Sequence, residues 1–468
     1  MKRPLMIILM MIACFAIFAR HVDDTSRISY PGGKCYLYRI YLSDKAGSQY
    51  SLQKPEEFLS LRSIKRREKQ HLSLDSTDLP ISERYIRQIC DWGFEIVDKS
   101  KWNNTLLLRV RTPKDLKKLE HIPFVKSIKK VFESPDSINR RDRMNYHKTI
   151  TSFIQDNESF YGSTEFQIKK LNGHKLHEAG YHGEAMMIAV LDGGFMNVDR
   201  IPAFHQIQLA GVADFVSPRS QNVFKEMEHG TMVLSVMAAE VEHYYVGAAP
   251  RASYVLVRCE DEQTESLAEE DYWASAVEYA DSLGVDVINS SLGYHGFDDK
   301  TMDYKYENLD GKTAMISCTA AKLASKGIIL VNSAGNEGMG SWKKINVPAD
   351  ASDILTVGAI TRSGINAPFS SIGFTADGRV KPDVMAIGSP ASVITGRGTV
   401  INDMGTSFSA PIIAGMVACL WEALPHLNAY EIMSIVKRSS DRYSRPNNIF
   451  GYGVPDFWKA YLMGKKDK

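Results

Sequence analysis

Four short runs of apolar residues in the C-terminal part of the chain restrict the possible folds most strongly. Each run has the length of a strand, and an unbroken apolar run is typical of a strand that is buried on both faces of a parallel sheet. Helix-like stretches at 269–283 and 314–326 precede two of the runs and are followed by Gly284 and Gly327, where a helix needs a left-handed cap. The sequence therefore predicts repeated β-α-β winding around a buried parallel sheet. The runs cover residues 186–191, 254–257, 285–288 and 328–331.

Chemically competent side chains lie just after these runs or at the start of apolar helices. Asp192 follows the first run directly, and Asn336 lies in a loop of small residues after the last run. His229 opens one apolar helix-like stretch, and Ser407 precedes a longer one. Each of them alone has an ordinary structural explanation as a turn, loop, helix-start or N-cap residue. Because functional residues collect beyond the carboxyl ends of parallel strands, all four are also candidates for a shared site.

The four residue types together satisfy the needs of nucleophilic acyl transfer. That reaction uses a hydroxyl, an imidazole base, a carboxylate that orients the base, and N–H donors for the oxyanion. Ser407, His229 and Asp192 supply the first three. Asn336 supplies a side-chain amide, and the unpaired N–H groups at the helix start beside Ser407 supply further donors.

These residues lie in four motifs that resemble the subtilase family. The chain order Asp, His, Asn, Ser agrees with the Asp, His, Ser order of subtilisin, and the resemblance extends from about residue 162 to about residue 462. It implies an α/β fold, a subtilisin-like three-layer sandwich with a mostly parallel central sheet, preceded by a small α+β propeptide domain. The motifs are Asp192-Gly193-Gly194, His229-Gly230-Thr231, Ala334-Gly335-Asn336-Glu337-Gly338 and Gly405-Thr406-Ser407.

The resemblance implies a serine endopeptidase that cuts protein or peptide substrates through an acyl-enzyme. Ser407 would attack the scissile carbonyl, His229 would carry the proton, and Asp192 would orient the imidazole. Asn336 and the backbone N–H of Ser407 would receive the oxyanion. No cofactor and no metal would be required for catalysis. The substrate-binding segments implied by the family are Ser291, Leu292 and Gly293, which would pair with the substrate backbone, and Ser333, Ala334 and Gly335, which would line the pocket before the cleaved bond.

The sequence departs from the family pattern in three places. Gly193 stands where Ser or Thr is usual, and Met232 replaces a common second histidine. Neither change removes a reacting group. The segment between Ala239 and Gly247 is short and lacks a loop that supplies calcium ligands in many subtilisins, so structural calcium stays open.

The N-terminus has the pattern of a secretory signal peptide over residues 1–19. Lys2 and Arg3 precede an uncharged apolar run at 5–19, which is short for a membrane span. An uncleaved anchor and a lipoprotein site at Cys14 remain alternatives. No second apolar stretch of spanning length follows, so we expect a secreted or periplasmic product without a stable membrane span in its mature form.

The chain joins two parts of opposite charge. Residues 1–150 contain 29 Lys and Arg against 17 Asp and Glu, a net +12, whereas the whole chain carries +1 and the remainder therefore −11. We expect a propeptide at 20–145 that acts as an intramolecular inhibitor, a catalytic domain at 146–468, and a cut between about 133 and 161. The basic run Lys65-Arg66-Arg67 is expected to be a solvated helix face, and no nucleic-acid partner is expected.

Other residue clusters give weaker signals. Cys259, Cys318 and Cys419 have apolar surroundings and are expected to be thiols, although one disulfide pairing among them stays open. The acidic segment from Glu260 to Glu270 is expected to be solvated, with a subsite for a basic substrate residue as the alternative.

Two other enzyme classes fit the sequence poorly. An α/β-hydrolase would need an acid and then a histidine after the serine, and the histidine that follows Ser407 is His426, with no Asp in between. A dinucleotide-binding sheet would need a Gly-x-Gly-x-x-Gly turn after a strand, which is absent from these runs. An inactive subtilase-fold protein that binds peptides remains the alternative function.

Overall fold

The computed structural model describes residues 27–31, 33–139, 158–216 and 222–466. They form an N-terminal unit up to residue 139 and a C-terminal unit from residue 158. The expected signal peptide lies outside the described residues, as does most of the segment in which a maturation cut is expected.

The N-terminal unit is a four-stranded antiparallel sheet with helices, in the strand order β3-β4-β2-β5. Side chains alternate between its faces, so that Leu106 and Leu108 pack in the core of this unit while Leu107 faces the other side. Two of its strands cover Tyr36–Leu42 and Thr105–Val110, and a 3₁₀ helix covers Pro113–Lys118. The elements are β1 (Arg27–Ser29), β2 (Tyr36–Leu42), α1 (Leu61–Lys69), α2 (Glu83–Asp91), β3 (Glu95–Ser100), β4 (Thr105–Val110), β5 (Val125–Glu133) and β6 (Ser137–Asn139).

The C-terminal unit is built on a seven-stranded parallel sheet in the order β15-β14-β13-β12-β7-β11-β8. This confirms the predicted α/β class and its buried parallel sheet. Its elements are α3 (Glu165–Lys169), α4 (His174–Glu178), β7 (Met187–Asp192), β8 (Gln208–Asp214), α5 (His229–Ala238), β9 (Glu240–Val241), β10 (Tyr245–Val246), β11 (Ser253–Arg258), α6 (Ala268–Leu283), β12 (Val287–Ser290), α7 (Met315–Ala320), β13 (Ile329–Ser333), β14 (Leu355–Thr361), β15 (Val384–Ser389), β16 (Ala391–Ile394), β17 (Val400–Asp403), α8 (Thr406–Ala423), α9 (Ala429–Ser439) and α10 (Phe457–Lys466).

Helices cover both faces of this sheet. Helices α5 and α8 pack in the core on one face, and α6 and α7 pack in the core on the other. Gly284 ends α6 with a φ of +92°, and Gly327 has a φ of +82°, so both glycines occupy the predicted left-handed caps. By length and composition α8 could cross a membrane, but 89% of that helix is buried inside the protein.

The chain order reverses around β7, which lies between β12 and β11. A crevice therefore opens beyond the carboxyl ends of these strands, where open α/β sheets bind their ligands. Asp192 ends β7, and Ser291 directly follows β12. Both lie at that edge of the sheet.

The N-terminal unit packs its sheet against α6 of the C-terminal unit. Leu37 and Phe132 of the N-terminal sheet belong to the same buried cluster as Trp273 of α6. Arg39 of β2 reaches into this interface and bonds Asp271 of α6 at 2.6 Å.

This packing contradicts the expectation that Lys65-Arg66-Arg67 is a solvated face. Lys65 is exposed, but Arg66 and Arg67 are buried, and both guanidinium groups bond the buried carboxylate of Asp281 on α6 at 2.5 and 2.9 Å. A helix face that looks solvent-exposed within its own unit is covered here by a second unit.

The expectation that the acidic segment from Glu260 to Glu270 is solvated is wrong for the two members in the first turn of α6. Glu269 accepts hydrogen bonds from the N–H groups of Asp261 at 2.9 Å and Ser266 at 3.1 Å, and it is 1% exposed. Glu270 is fully buried and pairs with Arg39 at 3.2 Å. Each carboxylate is buried because donors satisfy it.

Candidate active site

Asp192 and His229 form a close pair at the carboxyl edge of the sheet. Nδ1 of His229 lies 2.9 Å from both carboxylate oxygens of Asp192. The Asp192 side chain is fully buried and also accepts the N–H of Gly193 at 2.8 Å, whereas His229 is 27% exposed. A buried carboxylate therefore fixes one side of the imidazole, and Nε2 on the other side makes no hydrogen bond to any residue that the structure describes.

Gly230 makes this approach possible. A Cβ at that position would lie 2.3 Å from the carbonyl oxygen of Gly194 and 2.9 Å from Cβ of Asp192. Any larger residue would force the start of α5 away from the end of β7. The glycine that follows the histidine thus sets the separation between His229 and Asp192.

The pKa of His229 reflects several opposing influences. Burial lowers it, but the charge and hydrogen bond of Asp192 raise it, as do the charges of Glu260 and Asp403, and the net result is a pKa of about 9. The imidazolium form is therefore stabilised at this site.

Ser407 lies in the first turn of α8, where backbone N–H groups have no partner within the helix. It is 8% exposed, and its Oγ lies 3.5 Å from the carbonyl oxygen of Ser291. The structure contains no hydrogen bond between this hydroxyl and His229, although the ring of the next residue, Phe408, lies 6.0 Å from the imidazole. Such contacts are often loose without substrate.

The side chain of Asn336 is exposed after β13 and is oriented by Thr406. Its Oδ1 accepts the N–H and the hydroxyl of Thr406, both at 2.9 Å. Nδ2 makes no hydrogen bond to the described part of the chain. The amide donor therefore stays available next to Ser407, as an oxyanion donor must be.

The two expected substrate-binding segments are linked by hydrogen bonds. The side-chain amide of Asn332 donates to the carbonyl of Leu292 at 3.1 Å. Asn346 donates its backbone N–H to the carbonyl of Ala334 at 3.2 Å and its side-chain amide to the carbonyl of Gly293 at 3.5 Å. Ser291 also donates its hydroxyl to the carbonyl of Ser407 at 2.9 Å. Ser333 ends β13, and Gly335 follows with a φ of +105°. All six residues lie at the edge of the sheet that carries Asp192.

Sequence reasoning missed two participants at this edge. Thr406 was visible only as part of the Gly-Thr-Ser motif, and nothing in the sequence indicated that it holds Asn336. Glu260 was assigned to a solvated loop, but its carboxylate lies against Gly193, where a Cβ would be 3.3 Å from Oε2. Gly193, which follows Asp192, was the sequence signal that could have indicated the position of Glu260.

No cluster of three metal-ligating side chains occurs within the described ranges. The short segment after Ala239 forms the hairpin of β9 and β10.

All five cysteines of the described chain are unpaired; Cys259 and Cys419 are buried as expected, and Cys318 is half-buried.

Comparison with known proteins agrees with this geometry. Residues 183–453 match the Peptidase S8 profile of the subtilase family. The chain belongs to the subtilase family. In addition, residues 37–149 match the peptidase S8 propeptide domain of Bacteroidota. The N-terminal unit of this subtilase therefore has the character of a propeptide, and the resemblance seen in the motifs is confirmed.

Several curated subtilases resemble the chain in sequence. Subtilisin NAT from Bacillus subtilis subsp. natto is 31% identical over 267 residues, which cover 56% of this chain and 62% of that protein. Subtilisin DY from Bacillus licheniformis is 29% identical over 62% of this chain and 94% of its own length. A thermostable alkaline protease from Halalkalibacterium halodurans is 27% identical over 73% of this chain and 79% of its own length. The match to subtilisin NAT thus spans less than two thirds of that protein's length.

Proposed function

We propose that this subtilase is a serine endopeptidase that hydrolyses peptide bonds in protein or peptide substrates. The observation that carries the proposal is the contact of His229 Nδ1 with both carboxylate oxygens of Asp192, at the sheet edge where Ser407 begins α8. This arrangement supports a general base next to a nucleophile.

The reaction follows from the roles of these groups. His229 Nε2 removes the proton of Ser407 as Oγ bonds to the scissile carbonyl carbon, and Asp192 stabilises the imidazolium that forms. Asn336 Nδ2 and the N–H of Ser407 donate to the oxyanion. The imidazolium then protonates the leaving amine, and water later releases the acyl group by the same path. Catalysis requires no cofactor, and the need for structural calcium is a separate question.

We assign residues 291–293 to pairing with the substrate backbone and 333–335 to the pocket for the residue before the cleaved bond. The N–H of Gly293 makes no hydrogen bond within the described chain, which supports the first assignment. Small side chains at Ala334 and Gly335 support an open pocket.

A fluorophosphonate that reacts with activated serines tests the proposal. We expect the matured wild type to gain one adduct on Ser407 and Ser407→Ala to gain none. A correctly folded wild type that remains unlabelled and cuts no peptide would instead be an inactive binding protein of the same fold.

We further propose that the chain is exported and made as a zymogen. Residues 1–19 would be a signal peptide, 20–145 an inhibitory propeptide and 146–468 the catalytic domain, released outside the cytoplasm. The propeptide match at 37–149 and the packing of the N-terminal sheet on α6 support this division.

Mass spectrometry of the exported wild type beside Ser407→Ala tests maturation. We expect a cut between about 133 and 161 in the wild type and an intact precursor in the variant. A cut at the same bond in both chains would mean that another protease matures the zymogen.

A further inference from the structure

Glu260 is an acidic side chain beside the catalytic pair that the mechanism above does not use. It lies two residues beyond Arg258, which ends β11 and pairs in register with Asp192 on β7. The N–H of the intervening Cys259 bonds the carbonyl of Asp192 at 3.1 Å. The backbone ladder thus fixes the position of Glu260 relative to Asp192.

The residue after Asp192 leaves room for this carboxylate. A Cβ at Gly193 would lie 2.5 Å from Sδ of Met227 and 3.3 Å from Oε2 of Glu260. The Ser or Thr that usually occupies this position would therefore compete with both side chains for the same space. Gly193 and Glu260 fit each other as a pair.

The Glu260 carboxylate is half-buried, and within the described chain it accepts no hydrogen bond and forms no salt bridge with a lysine or an arginine. The nearby Arg258 is already engaged, because Nε donates to the carbonyl of Gly193 at 2.9 Å and Nη1 pairs with Asp214 at 3.2 Å. A carboxylate without a partner stays in such a place only at a cost. The cation that it can meet is the imidazolium of His229.

The charges around the pair are mainly acidic. Burial and the charges of neighbouring carboxylates raise the pKa of Glu260, the charge of His229 lowers it, and the net result is a pKa of about 8. The groups that face His229 are Asp192 from β7, Asp403 from β17 and Glu260. The groups that face Glu260 are Asp192, His229, Asp261 and Glu265, with Cys259, Glu269 and Tyr294 on the surrounding elements.

Resting on the proposed peptidase function, we propose that Glu260 is a positioning residue for the reaction. Its carboxylate, seated against Gly193, stabilises the imidazolium that His229 becomes when it takes the proton of Ser407. Glu260 itself gains no proton from Ser407 and forms no bond to substrate. Opposite unit charges attract appreciably at a partly buried site.

This role predicts two linked changes in Glu260→Gln, which keeps the shape of the side chain. An anion favours the protonated imidazole, so its removal should move the acid limb of kcat/KM to lower pH by about half to one unit. The same loss should lower kcat on the alkaline plateau by about 3- to 10-fold, because the imidazolium of the transition state is less stabilised. A side chain that only supports the fold would not shift the profile.

The experiment measures kcat and KM against pH for the matured enzyme, with a peptide substrate that carries no charged side chain. Glu260→Asp, which keeps the charge, should restore most of the wild-type profile. Glu262→Gln removes an exposed carboxylate from the same loop and should leave the profile unchanged. Fluorophosphonate labelling of every variant confirms that the nucleophile is intact.

An unchanged pH profile in a labelled Glu260→Gln enzyme would overturn the inference. The inference would also be overturned if the variant kept the wild-type profile on this peptide but raised KM for a second peptide with a basic residue, since Glu260 would then contact substrate. Activity in Ser407→Ala would instead contradict the proposed function, so the two failures can be told apart.

Discussion

Thr406 determines how the amide of Asn336 faces the cleft. Its N–H and hydroxyl both bond Oδ1 of Asn336, so the fully buried threonine prevents the amide from turning over. Under the proposed function, Thr406 would therefore orient the oxyanion donor. This is a contribution that only the geometry reveals.

Thr406→Val tests that contribution. The variant keeps the shape and the backbone N–H but removes the hydroxyl donor, so we expect kcat to fall about 2- to 10-fold with little change in KM. Asn336→Ala, which removes the donor itself, should cost about 100- to 1000-fold in kcat. Equal losses in the two variants would contradict an orienting role for Thr406.

His177 is a buried histidine away from the candidate active site. Its Nδ1 lies 3.0 Å from the hydroxyl of Tyr161, and its Nε2 lies 3.1 Å from the carbonyl of Ala248. Burial lowers the pKa of His177 from 6.5 to about 4. Between pH 4 and 6.5 His177 is protonated in the unfolded chain but neutral in the folded one. The contribution of His177 to the free energy of unfolding is therefore complete above pH 6.5 and is lost as the pH falls toward 4.

We expect this loss to amount to about 3 kcal/mol of the free energy of unfolding. In a Ser407→Ala background, which prevents self-digestion, the stability advantage of His177 over His177→Asn should shrink by that amount between pH 6.5 and 4. Chemical unfolding at a series of pH values measures it. An advantage that stays constant over this range would contradict the prediction.

At the scale of elements, α6 joins the two units through buried charges. Arg39 is 1% exposed and bonds Glu270 and Asp271 at 3.2 and 2.6 Å. Near the C-terminal end of α6, Asp281 bonds Arg66 and Arg67 of the N-terminal unit. Removing one partner of a buried pair leaves the other charge uncompensated, so these contacts should govern how tightly the propeptide stays docked.

Arg39→Met should therefore weaken docking of the cut propeptide by about 100-fold or more. Lys130→Met is the matched control, because Lys130 also crosses the interface, to Asp299 at 3.4 Å, but both partners are about one third exposed. We expect less than about a fivefold effect there. Activity that appears when the processed complex is diluted measures both, and similar effects would contradict the assignment.

The sequence was sufficient for the elements that carry strong local patterns. The buried strands and the left-handed caps at Gly284 and Gly327 follow from periodicity and glycine chemistry, whereas the grouping of Asp192, His229 and Ser407 was predicted from the chain order of motifs that resemble the subtilase family. The burial of charged residues was harder to predict, because the sequence of one helix does not show whether another unit covers its polar face. The sequence predicted that Arg66 and Glu270 are solvated, but each is buried and pairs with a residue of the other unit.

On the scale of the whole molecule, the opposite net charges of the two parts meet in a specific network. Lys326 of the C-terminal unit, 3% exposed, bonds Asp75 and Asp78 of the N-terminal unit, while Asp281 receives the two arginines in return. Each unit thus buries a charge whose counter-ions belong to the other. Net charge indicated attraction, but it could not show that the pairs would be buried.

The candidate relay also depends on the whole fold, since Asp192, His229 and Ser407 come from β7, α5 and α8. The most direct test compares kcat for Ser407→Ala, His229→Ala and the double variant on one peptide substrate. If the residues act as one unit, each single variant loses about 10⁴-fold or more and the double variant loses little beyond that. A double variant whose loss equals the product of the single losses, or a Ser407→Ala enzyme that still cuts the substrate, would contradict the account.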